Sequence, residues 1–199
     1  MREALEAEGA PADILQCITQ PSVAMSQALM AARDLVIATG GQPMVRAAYS
    51  SGTPAYGVGA GNSTMIIDET ADVDIAARNS RISKTSDFGS GCSADGNLII
   101  HESIWDQMIE ALQSEGGYLA EGEQRDALER VMWDDEAHRL PETVAIAPVK
   151  LAAAAGFEVP ESTTFSFVKG DGIGDDHPFS REKLTTLLTV HRYEGEFEN

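Results

Sequence analysis

The chain repeats one device: three or four apolar residues, a glycine-bearing turn, then a helical stretch. Leu35-Val36-Ile37-Ala38 runs into Thr39-Gly40-Gly41-Gln42-Pro43, and residues 44–50 are expected as helix, with Pro43 suited to a first helical position. Ala55-Tyr56-Gly57-Val58 is a second short strand. Met65-Ile66-Ile67 is a third, ending at Asp68 and giving way to a helix over 71–86, whose period sets Ile75, Ala76, Asn79 and Ile82 on one face. Apolar runs separated by helices cannot pair as tight hairpins. They predict parallel strands joined by crossovers, and so an α/β fold built on a parallel sheet.

The alternation restarts at Leu98-Ile99-Ile100. A helix over 103–114 follows, with Ile104, Met108 and Leu112 inward, stopped by Gly116-Gly117. Residues 123–133 and 149–155 are further helices, and 134–141 is a polar linker. Residues 164–168 and 187–193 are strands. Pro21-Ser22 opens a helix through Val23, Gln27 and Met30. The glycine-rich stretch Gly89–Cys92 marks a boundary between two α/β halves, 1–88 and 89–199. No internal repeat is present.

Composition narrows the function classes. The net charge is −18, from 32 acidic and 14 basic residues, which argues against binding a nucleic-acid backbone. An anionic ligand would have to be met by backbone amides, helix N-termini and selected cations such as Arg46 or Lys84, unless those two are simply solvated surface. No apolar run approaches the ~18–20 residues that span a bilayer, and the acidic N-terminus lacks a signal-peptide core, so a cytoplasmic location away from membranes is expected. Two cysteines, Cys17 and Cys92, make no disulfide framework, and four scattered histidines make no metal site. Cys17, flanked by Leu15 and Ile18, reads as a packing residue.

Cys92 sits differently. In Ser86-Asp-Phe-Gly-Ser-Gly-Cys92-Ser-Ala-Asp-Gly-Asn97 it lies among Gly89, Gly91 and Gly96, just before a strand. Small neighbours admit a substrate and backbone amides to its sulfur, the arrangement a covalent nucleophile needs, although an ordinary loop cysteine fits the same pattern. A thiolate there can add to an aldehyde carbon, and loss of hydride to a nicotinamide leaves a thioester, with the Cys92 amide placed to hold the oxyanion. Thr39-Gly40-Gly41 is either a phosphate or nicotinamide contact or a plain βα turn. Gly57-Val-Gly59-Ala-Gly61-Asn62 fails as a dinucleotide fingerprint, because a strand follows it. It is a glycine floor beside a reactive group or a packing loop. Glu182, before the last strand, is either a ribose ligand or a surface glutamate.

Taken in order, these segments resemble the acylating, coenzyme A-dependent branch of the aldehyde dehydrogenases. The resemblance runs through Leu35–Gly41, Met44–Gly52, Gly57–Asn62, Ile67–Asp72, Ser83–Thr85 and Pro178–Leu184. The Cys92-Ser pair, Gly116–Leu119 and the Glu-rich helix to Trp133 resemble the sulfoacetaldehyde dehydrogenases in particular. The resemblance implies a three-layer fold with part of a Rossmann-like cofactor domain over 1–88 and part of a catalytic domain over 89–199. It places Cys92 on the catalytic cysteine, Thr39, Gly40, Gly41 and Gly59 beside the nicotinamide, and Glu182 on the ribose-binding glutamate. NAD or NADP would be the cofactor, coenzyme A the co-substrate, a small aldehyde the substrate, and a homo-oligomer the assembly of the complete protein. Where the hydrolytic branch carries a glutamate base, this chain has Val58, so transfer to a thiol is expected in place of hydrolysis. Thr185-Thr186 replaces the branch's usual Ser-Pro. Both ends read as cut, which leaves an inactive remnant or assembly partner, and a hydrolytic enzyme, as the alternatives.

Overall fold

The computed structural model describes residues 1–197, which fall into two compact units divided between Ala60 and Gly61. In the smaller, α1 (Arg2–Ala7) and α2 (Val23–Ala31) precede β1 (Val36–Thr39), α3 (Gln42–Tyr49) and β2 (Ala55–Val58). Ser22 caps α2 by accepting from the Met25 amide at 3.1 Å, and Pro43 lies in the first turn of α3. The two strands pair in parallel, Val36 opposite Ala55 and Thr39 opposite Val58. Val36 and Ala38 point inward with Met30 and Ala48 to form a small core.

The larger unit carries β3 (Thr64–Ile67), α4 (Val73–Thr85), β4 (Asn97–His101), α5 (Trp105–Ser114), β5 (Gly117–Leu119), α6 (Glu123–Met132), α7 (Pro148–Ala154), β6 (Phe165–Lys169) and β7 (Leu187–Tyr193). The strands form one five-stranded sheet in the order β3-β4-β7-β6-β5, every adjacent pair parallel. The expected parallel α/β fold is therefore the one observed. One face carries Leu98, Ile100, Phe165, Phe167, Leu188 and Val190 against Met108 and Leu112 of α5 and Ala77 of α4. The other carries Val168 and Leu187 against Leu128, Met132 and Leu151 of α6 and α7. Runs buried on both faces, such as Phe165–Val168, are what parallel strands covered by helices require.

The compact units divide at 60/61, because β3 hydrogen-bonds into the sheet of the later strands. Some expectations about single elements are corrected. On α4 the buried row is Ala77, Ser80 and Lys84, while Ile75 and Ile82 are 58 % and 49 % exposed. Hydropathy periodicity counts apolar residues and ignores size; here the small side chains face inward. Cys17 is exposed, not packed. Strand β5 has no counterpart among the expected elements, being three residues long directly after the glycine that ends α5. Among the described residues no helix is long and apolar enough to cross a membrane.

Leu112→Ala should lower the urea-unfolding free energy by about 2–5 kcal/mol, the cost of a cavity in a close-packed core. Ile75→Ala should change it by less than about 0.5 kcal/mol.

Candidate active site

Within the smaller unit, Thr39, Gly40, Gly41 and Gly59 come together at the C-terminal ends of β1 and β2, since the Gly40 amide donates to the Val58 carbonyl at 3.1 Å. Ligands of parallel sheets bind at this end of the strands. Gly41 is the N-cap of α3 and supplies no capping side chain, while its carbonyl accepts from the Met44 and Val45 amides at 3.0 and 3.3 Å. The glycine of the floor that packing requires is Gly57. A Cβ there would stand 2.6 Å from Val45 Cγ1 and 2.8 Å from Tyr49 Cε2. Val58 is exposed and carries no carboxylate.

Within the larger unit, Cys92 is exposed on the loop between α4 and β4. The loop is forced into shape at its start. Asp87, Phe88 and Gly89 take successive left-handed conformations, φ 45°, 52° and 68°, which reverse the chain after α4. For the two non-glycine residues this costs on the order of 1–3 kcal/mol each, a strain that concentrates at functional loops. Gly89 is locked: a Cβ would stand 2.5 Å from the Thr185 carbonyl oxygen and 2.9 Å from that of Lys84. At the far end, the Asp95 amide donates to Ser83 Oγ at 3.0 Å, and the Gly96 amide to the Ser63 carbonyl at 2.8 Å. Among the described residues the Cys92 amide makes no backbone hydrogen bond.

The segment before β7 comes to the same place. The Gly61 amide donates to Glu182 Oε1 at 3.3 Å, and a Cβ on Gly61 would lie 3.5 Å from the Cys92 carbonyl. One glycine thus lies beside the Cys92 loop and donates to the candidate ribose ligand. Glu182 is half-buried with an ionisable carboxylate, the acceptor a cofactor's ribose diol requires, so these residues fit the group. Beneath it lies a polar network absent from the sequence reading. Asn62 Nδ2 donates to the Ser180 carbonyl at 2.7 Å, and Asn97 Nδ2 donates to Asn62 Oδ1 at 2.8 Å and to Ser180 at 3.1 Å. The Lys183 ammonium, fully buried, donates to the carbonyls of Phe179 and Arg181 and to Asn97 Oδ1. Burial drives its pKa well down, and the charge of Lys84 pushes the same way.

Lys84 departs from the surface reading. It is 1 % exposed, and burial brings its pKa down to about 8 against the opposing pull of Asp95 and Glu182. Arg46, by contrast, is exposed. The Asp95 carboxyl is held above its ordinary range, chiefly by burial and against the help of Ser83 and Lys84.

Comparison with known proteins decides the family. The aldehyde dehydrogenase family matches over residues 1–132. The chain belongs to the aldehyde dehydrogenase family. It is 43 % identical over 202 residues to a sulfoacetaldehyde dehydrogenase of Acholeplasma sp, a match covering 100 % of this chain and 41 % of that protein. It superposes with a TM-score of 0.92 and 35 % identity on an acetylating aldehyde dehydrogenase from Geobacillus thermoglucosidasius, covering 98 % of this chain and 43 % of the other. A propionaldehyde dehydrogenase from Rhodopseudomonas palustris, solved with bound CoA and an acylated cysteine, matches with a TM-score of 0.87 and 27 % identity over 97 % of this chain and 44 % of the other. The chain spans less than half the length of each of these relatives.

Gly89→Ala should destabilise the chain by more than about 1 kcal/mol, since the residue can neither keep its φ nor clear the Thr185 carbonyl. Urea unfolding reads this directly.

Proposed function

We propose that this chain carries the nucleophile of a CoA-acylating aldehyde dehydrogenase, with Cys92 as the attacking residue and Glu182 as a ligand of the NAD(P) ribose. The observation that carries the reading is the junction at Gly61, which sets an exposed cysteine loop and a half-buried carboxylate against one backbone segment. The Cys92 thiolate adds to the aldehyde carbon, forming a C–S bond while the carbonyl electrons move to oxygen as an alkoxide. The Cys92 amide donates to that oxygen. The nicotinamide supplies a two-electron acceptor for the hydride, so the aldehyde carbon is oxidised and a Cys92 thioester remains. The thiolate of coenzyme A then attacks the thioester carbonyl, and Cys92 leaves as thiolate with acyl-CoA as product. Val58, at the position where the hydrolytic branch carries its glutamate base, supports this outcome over hydrolysis. Thr39, Gly40, Gly41 and Gly59 are proposed to meet the nicotinamide half of the cofactor through backbone groups. The printed names of the relatives favour sulfoacetaldehyde or another small aldehyde as substrate. Residues 1–88 and 89–199 are proposed as the cofactor and catalytic parts of a protein that assembles as a homo-oligomer.

The second half-reaction run backwards gives the sharpest test, since it needs only Cys92 and an acyl-CoA. Acetyl-CoA should acetylate the chain once, releasing free CoA, with Cys17→Ala unaffected and Cys92→Ala unmodified by intact mass. Acetylation of Cys92→Ala to the same extent overturns the assignment. In the forward direction, reduction of NAD(P)+ by sulfoacetaldehyde should depend on CoA; turnover to free acid without CoA would make the enzyme hydrolytic. Glu182→Gln should weaken NAD(P) binding roughly tenfold or more, the worth of a hydrogen bond to a charged acceptor, about 1.5–3 kcal/mol.

A further inference from the structure

The hydrogen bond that joins Gly61 to Glu182 is 3.3 Å long, too long to hold two chain segments in place unaided. The side chain that holds them is bonded to a neighbour of each. Asn97 opens β4, shortly after Cys92, and is 4 % exposed. Its Nδ2 donates one proton to Asn62 Oδ1 at 2.8 Å and the other to the Ser180 carbonyl at 3.1 Å. Its Oδ1 accepts from the Lys183 ammonium at 3.4 Å. Asn62 Nδ2 donates to the same Ser180 carbonyl at 2.7 Å, which closes a ring of three polar groups. Asn62 follows Gly61 in the chain, and Lys183 follows Glu182. One amide therefore grips both segments that the long bond connects, and it grips them from the exit of the Cys92 loop.

The partners leave little choice of residue. Position 97 has to offer two donors to carbonyl oxygens and one acceptor to an ammonium, all in one plane, which only a primary amide does. Room is made beside it: a Cβ on Gly96 would stand 2.8 Å from Asn62 Oδ1 and 3.3 Å from the Ser63 carbonyl oxygen. The Gly96 amide donates to that same carbonyl at 2.8 Å, which fastens the loop exit to the residue after Asn62.

We propose that Asn97 is a positioning residue, one that sets Glu182 and the Gly61 segment against the end of the Cys92 loop so that carboxylate and nucleophile keep a single arrangement. The proposal rests on the reading of Cys92 and Glu182 as site residues. The fold depends on this amide less than the site does. Without it the Lys183 ammonium keeps the carbonyls of Phe179 and Arg181, the Ser180 carbonyl keeps Asn62 Nδ2, and Asn62, an exposed residue, has water. Its removal opens the ring while leaving each partner another bond.

Amide exchange in Asn97→Leu tests this without turnover. The Gly61 and Gly96 amides should exchange about tenfold faster, the protection of roughly one hydrogen bond, while the amides of β6 stay protected. Asn97→Asp keeps an acceptor for Lys183 and loses both donors; it should quicken the same two amides, and it carries the test if Asn97→Leu does not fold. Exchange quickened throughout the sheet in both variants, or unchanged at Gly61, overturns the proposal. Calorimetry with NAD+ reads the consequence for the site. Asn97→Leu should weaken NAD+ binding about tenfold, and adding Glu182→Gln should cost no more than Glu182→Gln alone, because a ligand already displaced is lost only once. Losses that multiply in the double variant overturn the proposal, since Asn97 would then act independently of Glu182. NAD+ binding that Glu182→Gln does not weaken, or that the unsubstituted chain lacks, overturns the reading of Glu182, and exchange at Gly61 still decides the role of Asn97.

Discussion

Lys183 is the constraint on which the larger unit's polar centre depends. An ammonium removed from water costs several kcal/mol, even after relaxation, unless its protons find acceptors. Here they find the carbonyls of Phe179 and Arg181 and the amide oxygen of Asn97. Those acceptors are spoken for in turn. The Phe179 carbonyl also accepts from Thr189 Oγ1 at 2.7 Å, and Asn97 spends its amide protons on Asn62 and Ser180. The segment before β7 is thereby fixed to the starts of β4 and β3, and Glu182, adjacent to Lys183, has little freedom over where its carboxylate lies. Thr186, one of the two threonines standing where the related branch usually has Ser-Pro, adds a hydroxyl donor to the Ile146 carbonyl at 2.9 Å. The departure from the branch pattern brings its own anchor.

Strain and anchorage oppose each other around Cys92. Two non-glycine residues in left-handed conformation would relax if the chain after α4 were free. It is not free, because Gly89 is wedged against Thr185 and the far end of the loop is hydrogen-bonded to Ser83 and Ser63. The result is a cysteine that is exposed to solvent yet set on a backbone held at both ends. A nucleophile requires both properties, access for the reacting carbon and little reorganisation when it arrives.

The sheet was legible in the residues because parallel strands buried on two faces must be largely apolar, as at Leu187–Val190, and Leu187–Tyr193 matches its expected bounds residue for residue. Ala55–Val58 of the smaller unit also matches, although its residues alternate half-buried and exposed. So were Ile104, Met108 and Leu112, which keep a strict helical period on one face. Cys92 and Glu182 could be singled out from glycine context and resemblance. What stood beneath them could not. Lys84, Lys183, Asn62 and Asn97 are polar types whose default is the surface, and nothing in local spacing says that residues 62, 97 and 180 converge. That convergence is a property of the strand order, which places β4 between β3 and β7. The face of α4 failed for a related reason: Ala77, Ser80 and Lys84 carry no hydropathy signal, and they are buried by what the sheet and loop demand of their size and charge.

The excess of acidic residues gives the buried cations their meaning. A chain of net charge −18 repels an anionic ligand at long range, although salt screens this beyond about 8–10 Å. Attraction has to be built locally and kept out of water, where a single charge acts through a lower effective dielectric. Lys84 and Lys183 are buried, whereas Arg46 is exposed. The charge of Lys84 also lowers the affinity of Lys183 for its proton. The carboxylates of Asp95 and Glu182 offset that repulsion at Lys84, so neither lysine can be understood without the acids at the mouth of the site. The carboxylate of Glu182 is then also part of what keeps Lys84 charged beneath the Cys92 loop.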